Sequence, residues 1–506
     1  MNARLAALTP EQRAELVRRL QKQRSARAEN VAPQKAGEAR VLSFAQQQLW
    51  FLEQLTPGGT PYNVPIYLRL RGGLDVEALR RALNAIAGRH EVLRTRITTV
   101  DGRPAPAVAA EWAVPLRQFD LRTLPAQERE PQAQRILRAE AARAFDFSRD
   151  LMLRGLLIRL VDDVCIFLHN SHHIAWDLGS KAIFYRELET FYKAYVLGKT
   201  PVAPELPVQY SDFAAWQREW LKGETLERLE SYWREQLSGA AVTLDLPADR
   251  PRPRVQTLRG AKRNASLTKA VLEQGRTLSA QSNVTLFMTM LAAFGVFLYS
   301  LTGQEDILIG SPFDGRDREE TKDLIGFFIN TVAFRIRPAP QLTFRELMRR
   351  VREVTLGALE HAQLPFHKVV EIVRPPRDLS RSPLFQVNFR LQPGPPVPLR
   401  LDGLEVEGPY VVDNAAAKFD LALELPSVES AAGFWEYSTD LFDRSRIDQM
   451  AAEFDRLFAA LVTQPDIPLE QLEFIRSSRK PDTVAQSSSK ERNVSLDANQ
   501  WTNEQR

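Results

Sequence analysis

Cysteine is nearly absent. Cys165 is the single one in 506 residues, which excludes an internal disulfide and any metal site built from several thiolates. That points to a reducing, cytoplasmic setting. Charge of one sign is also missing. The chain has 67 Lys and Arg against 63 Asp and Glu, a formal net charge of +4. The two signs are interleaved, so nothing marks a nucleic-acid-binding surface. Long hydrophobic runs are missing too. LFMTMLAAFGVFLYSL, from Leu286 to Leu301, falls short of the ~20 residues of a bilayer span. It also contains Thr289, Gly295 and Ser300. It reads as a buried core helix with its start signal in SNVTLF. The N-terminus has no apolar signal segment, so neither secretion nor membrane association is expected.

What is present is globular. Hydrophobic residues make up 44% and charged residues 26%, and 506 residues exceed one ordinary core, so at least two lobes are expected. Residues 1–24 read as a helix. Thr9 suits the N-cap, Pro10 the first helical position, and Gln12 completes a capping-box pattern. Leu16, Val17 and Leu20 give it only a thin apolar stripe, so residues 1–39 are taken as a helix plus linker, a docking element. Strand and helix signals then alternate, which argues α/β or α+β. YNVPIYLRLRG alternates like a strand and stops at Gly72-Gly73. DVEALRRALNAIAGRH has helical spacing. Periodicity breaks around LDLPADRPRPRVQT. The expected division is a first lobe at 40–237, a connection at 238–257, a second lobe at 258–476, and a disordered polar tail at 477–506.

Histidine is scarce as well, with six in all, yet three fall in CIFLHNSHHIAWDLGSKAIF. His169 lies in a strand-like run, His172 and His173 end it, and Asp177 follows just before a helical pattern. Adjacent side chains in extended backbone point to opposite faces, so both histidines cannot readily ligate one ion, and no HExxH spacing is present. No G-x-S-x-G elbow supports a nucleophile. General acid–base chemistry or positioning by one histidine remains, with Asp177 pairing an arginine. On spacing alone a structural pair, with Asp177 as a simple N-cap, is the more common arrangement.

Seven further stretches, in order, change that balance. HHIAWDLGS resembles the HHxxxDG motif of condensation domains of nonribosomal peptide synthetases. LSFAQQQLWFLEQLTPGGTPYNVP (42–65) and RHEVLRTRI (89–97) resemble the family's first two motifs. YSDFAAWQ (210–217), DILIGSPFDGRD (306–317), IGFFINTVAFRI (325–336), HAQLPFHKVVE (361–371) and RDLSRSPLFQVNF (377–389) resemble the later ones. The resemblance covers about residues 40–475. It implies an α/β sandwich fold of two chloramphenicol-acetyltransferase-like lobes, a V-shaped pseudo-dimer around a central tunnel.

The resemblance also implies roles. His173 would face the tunnel and orient or deprotonate the attacking amine, with His172 supporting the loop and Asp177 paired to Arg316. Trp176, Leu178, Gly179 and Ser180 would line the substrate path. Donor and acceptor carrier proteins would present substrates on 4'-phosphopantetheine arms, with no bound cofactor and no metal in the chain itself, which is expected to be a monomer. The product would be an amide, or alternatively an ester. Helix 1–24 would dock an upstream synthetase subunit. No carrier or adenylation motif follows residue 476, so a free-standing protein or an excised domain is expected. One departure stands out. Leu178 occupies the motif glycine's place, with Gly179 one position late. If that glycine needs φ > 0, leucine is strained there. The alternative reading is then a catalytically impaired platform that recruits a partner. An epimerisation domain is disfavoured, because SPFDGRD stands where that class has an EGHGR-type stretch.

Overall fold

The computed structural model describes residues 30–473 apart from 36–37, 56, 392–397 and 426–431. The helix expected over 1–24 and the tail over 477–506 lie outside the described residues.

The strand that carries the histidines explains its own composition. Residues Val164–His172 form β6, buried along all nine positions. Both faces are covered, so the run is continuously apolar instead of alternating. β6 pairs antiparallel with β1 (Asn63–Arg71) and β5 (Leu153–Val161). β4 (Leu116–Asp120) closes one edge. On one face lie α2 (Val76–Arg89) and α4 (Leu178–Val196), with Leu79, Leu83, Phe184 and Leu188 against Phe167 and Leu157. On the other lies α3 (Ala126–Ala141), with Leu137 and Ala133 against Ile158, Ile166 and Leu168. A small ribbon, β2 (Thr95–Val100) with β3 (Arg103–Val108), sits outside this sheet. Arg94 donates to the Ala109 carbonyl at 2.6 Å.

The second sheet has the order β7-β13-β12-β10-β8-β9. Its strands are β7 (Gly260–Ser266), β8 (Ile307–Phe313), β9 (Asn330–Ile336), β10 (Val387–Leu391), β12 (Leu421–Leu425) and β13 (Ala432–Ser438). The apolar run forms α8 (Leu286–Thr302), capped by Thr285, whose side chain accepts from Met288 N, and ended by Gly303 at φ 71°. Left-handed backbone there favours glycine. Phe294 and Phe297 of α8 meet Trp435 and Phe454 at 5.5–6.3 Å between ring centroids. Burial of that aromatic cluster is worth several kcal/mol, since deleting one such ring costs about 3–5 kcal/mol. Helices cover one face only. The other face carries Lys262, Arg390, Glu424 and Glu436, each about a fifth to a quarter exposed, and turns toward the first lobe.

Two features cross the boundaries expected at 238–257 and before residue 40. After β10 the chain crosses back, and residues Glu405–Val411 form β11, which joins the edge of the first sheet beside β1 (Ile66 opposite Val411, Arg69 opposite Glu407). Leu399 and Leu401 fill the first core, as do Leu324, Ile325 and Phe328. An edge strand is open to any extended segment, and no motif marks which segment fills it. The linker also reaches the core. Val31 is 3% exposed, and Gln34 N donates to Asp212 Oδ1 at 2.9 Å.

Candidate functional site

The end of β6 places the two histidines by alternation. Asn63 pairs with His172 across the sheet, and His173 N donates to the Tyr62 carbonyl at 2.9 Å. His172 points inward and is 3% exposed. Its Nδ1 accepts from Ile174 N at 3.1 Å, and its ring contacts Phe147 and Phe145 at 4.8 and 5.7 Å. Burial, aided by Lys418 and Arg154, holds its pKa down at about 3. The ring is therefore neutral and structural. Arg154 secures the loop carrying those phenylalanines. It donates to the carbonyls of Ala144 (2.9 Å) and Arg143 (2.6 Å) and stacks over Phe145 at 3.7 Å. His169 is fully buried among Phe184, Trp176 and Tyr185.

His173 faces the other way and is half-buried. Its Nδ1 lies 3.0 Å from the Trp176 carbonyl. A carbonyl only accepts, so Nδ1 carries the hydrogen and Nε2 keeps its lone pair. The ring sits between Tyr62 of the first lobe (6.4 Å, edge-on) and Phe327 of the 313–330 connection (5.8 Å). Burial first, then the Lys418 charge, hold its pKa well below the ordinary imidazole value; the Trp176 carbonyl works against them. This is a neutral imidazole with a free acceptor nitrogen, the form a general base or amine-orienting group needs.

Asp177 is the N-cap of α4 and is 1% exposed. Its Oδ1 accepts from Ser180 N at 2.9 Å and from Arg316 Nη2 at 2.6 Å. Its Oδ2 accepts from Arg316 Nη1 at 2.7 Å and from Phe328 N at 2.9 Å. Asp177 and Arg316 thus form a two-pronged pair, with side chains 0% and 6% exposed. It ties the histidine turn to the GRD stretch after β8. Ser180, fully buried, lies 2.8 Å from Asp177 Oδ1 and accepts from Gly326 N at 3.0 Å and Arg316 Nη2 at 2.9 Å.

Three of the residues expected to line a substrate path lie elsewhere. Trp176 is 1% exposed, in the first core against Phe184 at 5.3 Å, because the turn after His173 rotates it inward. Ser180 is spent on the Asp177–Arg316 network. Gly179 lies beneath that arginine: a Cβ there would stand 2.4 Å from Arg316 Nη1. Leu178 is half-buried and takes the first position of α4. It is not among the residues of positive φ, so the expected strain is absent. Sequence reasoning missed Tyr62, Phe327, Arg390 and Lys418. Tyr62 and Phe327 sit inside recognised motifs without a telling spacing. Lys418 is one of 67 basic residues and is 245 positions from His173.

The Condensation domain family matches residues 37–482. A linear gramicidin synthase from Brevibacillus parabrevis is 43% identical over 449 residues, 88% of this chain and 6% of that protein. Phosphinothricin tripeptide synthetase PhsC of Streptomyces viridochromogenes is 39% identical over 476 residues, 93% of this chain and 44% of that protein. The chain therefore spans a minor part of these relatives. Among solved structures, the X-domain from teicoplanin biosynthesis superposes with a TM-score of 0.79 at 25% identity, covering 87% of this chain and 99% of that one. The first condensation domain of the calcium-dependent antibiotic synthetase shares the fold, with a TM-score of 0.71 at 22% identity, 87% of this chain and all of that one. With its two chloramphenicol-acetyltransferase-like lobes and a family match over most of its length, the chain belongs to the condensation-domain family of nonribosomal peptide synthetases.

Proposed function

We propose that this chain joins an acyl or peptidyl thioester on one carrier protein to the amine of an aminoacyl group on another, forming an amide. The observation that carries the reading is His173. Its Nδ1 is tied to a backbone carbonyl, which leaves the Nε2 lone pair available as an acceptor. In the reaction, the amine nitrogen bonds to the thioester carbon and the carbonyl π electrons move to oxygen. His173 Nε2 holds the amine in line and takes its proton. The oxygen electrons then re-form the carbonyl, the C–S bond breaks, and the thiolate takes up the proton. Holding two tethered reactants together supplies much of the rate. Asp177 and Arg316 act by fixing the turn on which His173 stands. The phosphopantetheine arms belong to the carriers. No described helix is long and apolar enough to cross a membrane.

The platform reading rested on Leu178 in the motif glycine's place, through strain or through added bulk, and the helical backbone there bears on the strain alone. The test is a reconstituted condensation with candidate donor and acceptor carriers, read by intact-protein mass spectrometry. His173→Ala is expected to lower turnover roughly 10²-fold or more with carrier binding retained. Full turnover in that variant removes the histidine from the mechanism. Absence of product from wild type with its cognate carriers leaves the platform reading.

A further inference from the structure

The wall facing His173 from the second lobe carries more positive than negative charge. Among the described residues, it is the sheet face opposite the helices of the second core. Arg390 on β10 stands in register with Glu424 on β12 and binds it at 3.2 Å. Glu436 on β13 stands opposite Lys262 on β7 at 3.7 Å. These are cross-strand pairs that offset their own charge. Two lysines are added to them. Lys418 enters from the segment before β12, with Nζ 4.4 Å above the Tyr62 ring. Tyr62 is the ring that meets His173 edge-on. Lys181, on the first turn of α4, approaches from the first lobe, near enough to Arg390 and Glu424 to feel both charges.

Four cations thus share this space with two carboxylates among the described residues, and both carboxylates are already paired. Neither lysine has a carboxylate at ion-pair distance among the described residues. The side chains are half-buried, where charge is poorly screened. Burial pushes Lys418 down to about 8 and raises Glu436. His173 itself feels Lys418 and Arg390. An excess of cations in a partly dry recess is costly unless a ligand brings the missing negative charge.

We propose that Lys181, Arg390 and Lys418 form a recess beside His173 that holds a carboxylate on the acyl group of a carrier-bound substrate. It rests on the condensation reading and narrows the substrate class to acyl groups with an acidic side chain or free carboxyl end. Arg390 offers a flat fork for the carboxylate, and the lysines offer point charges from either lobe.

The test uses two probes of equal shape, the succinyl and succinamoyl amides of aminopantetheine (pantetheine with an amine in place of its thiol), which differ as carboxylate and carboxamide. Affinities are measured by titration calorimetry on the full chain. Wild type is expected to favour the succinyl amide about tenfold or more, the scale of a charge-assisted hydrogen bond. Arg390→Gln and Lys418→Met are each expected to cut that preference to about threefold or less. Unchanged affinity for the succinamoyl amide shows that the recess is still folded. Lys181→Gln gives the same readout from the other lobe if either variant fails to fold. Equal affinities in wild type, binding of neither probe, or a preference that survives all three substitutions overturns the recess. So does an equal slowing of neutral and acidic substrates in the carrier assay, which would assign these cations to the reaction's own oxyanion. Product formation without carboxylate preference overturns the recess alone. Preference without any product leaves the recess and counts against the condensation reading.

Discussion

Truncating Asp177 tests the physical account of the lobe junction. Its carboxylate receives Arg316 through both prongs, the amides of Ser180 and Phe328, and the Ser180 hydroxyl. Asp177→Ala leaves a guanidinium 6% exposed without its carboxylate and two amides without acceptors. Removing one partner of a buried pair costs about 3–5 kcal/mol. Arg316 keeps Asp314 at 3.2 Å, the Leu324 carbonyl at 3.3 Å and the Phe328 ring at 4.4 Å, so the lower end, about 3 kcal/mol, applies. A lobe of about 200 residues unfolds with roughly 0.4 kcal/mol/K of entropy, which converts that loss into a fall of about 7 °C in Tm. Arg316→Ala should fall less, because Asp177 keeps its Ser180 and Phe328 donors. The pair is buried, so 0.5 M salt should change the gap little. Calorimetric melts of both variants settle the matter. A change within about 2 °C for Asp177→Ala, well short of the expected fall, refutes the account. So does a larger loss for Arg316→Ala than for Asp177→Ala.

Two further expectations concern stability. His169 and His172 are held neutral in the fold by burial, each with a pKa near 3, whereas the unfolded chain protonates them near the ordinary value of about 6.5. Between those values the unfolded state binds more protons, so stability falls as pH drops below about 6.5. Tm measured from pH 7.5 to 4.5 should decline, and His169→Phe should flatten the decline by removing one site; a slope that the substitution leaves unchanged counts against a neutral His169. The second concerns the segment before α1 (Phe44–Leu55). Removing residues 1–34 should melt lower than removing 1–29, since Val31 is buried and Gln34 bonds Asp212. A buried valine is worth about 1.5–2 kcal/mol and the hydrogen bond about 1 kcal/mol. Equal melting temperatures for the two truncations would show that neither contact matters.

Legibility followed the range of each interaction. Where the cause lies within a few residues, the sequence showed it. Thr285, within the start signal SNVTLF, caps α8 through a local bond from Met288 N. Burial on both faces made β6 apolar throughout. The pairing of Asp177 with Arg316 spans 139 positions, and only the family resemblance connected them. β11 was illegible because Glu405–Val411 carries polar and exposed residues at an edge, without the alternation that marks a half-buried strand. Trp176 was misplaced for a related reason. A three-residue 3-10 turn follows His172, and the extended alternation assumed for the side chains stops there. Lys418 and Arg390 were unreadable because a cation's role here depends on which charges face it across the lobes.

The bonds that orient His173 do not pass through the altered side chains. His173 is oriented by the carbonyl of residue 176 and by the amide-to-carbonyl bond with Tyr62. Both partners of His173 are backbone atoms, so the side chain at 176 can change without turning the imidazole. Gly179 lies under the path of Arg316, where a Cβ would stand 2.4 Å from Nη1, and Leu178 occupies the first helical position. The first residue of a helix accepts most side chains, whereas close approach of a guanidinium to backbone requires the absence of a Cβ. The displaced glycine and the leucine before it are thus compatible with the same Asp177–Arg316 pair. Leu178 is half-buried at the start of α4, and neither bond that orients the imidazole runs through its side chain.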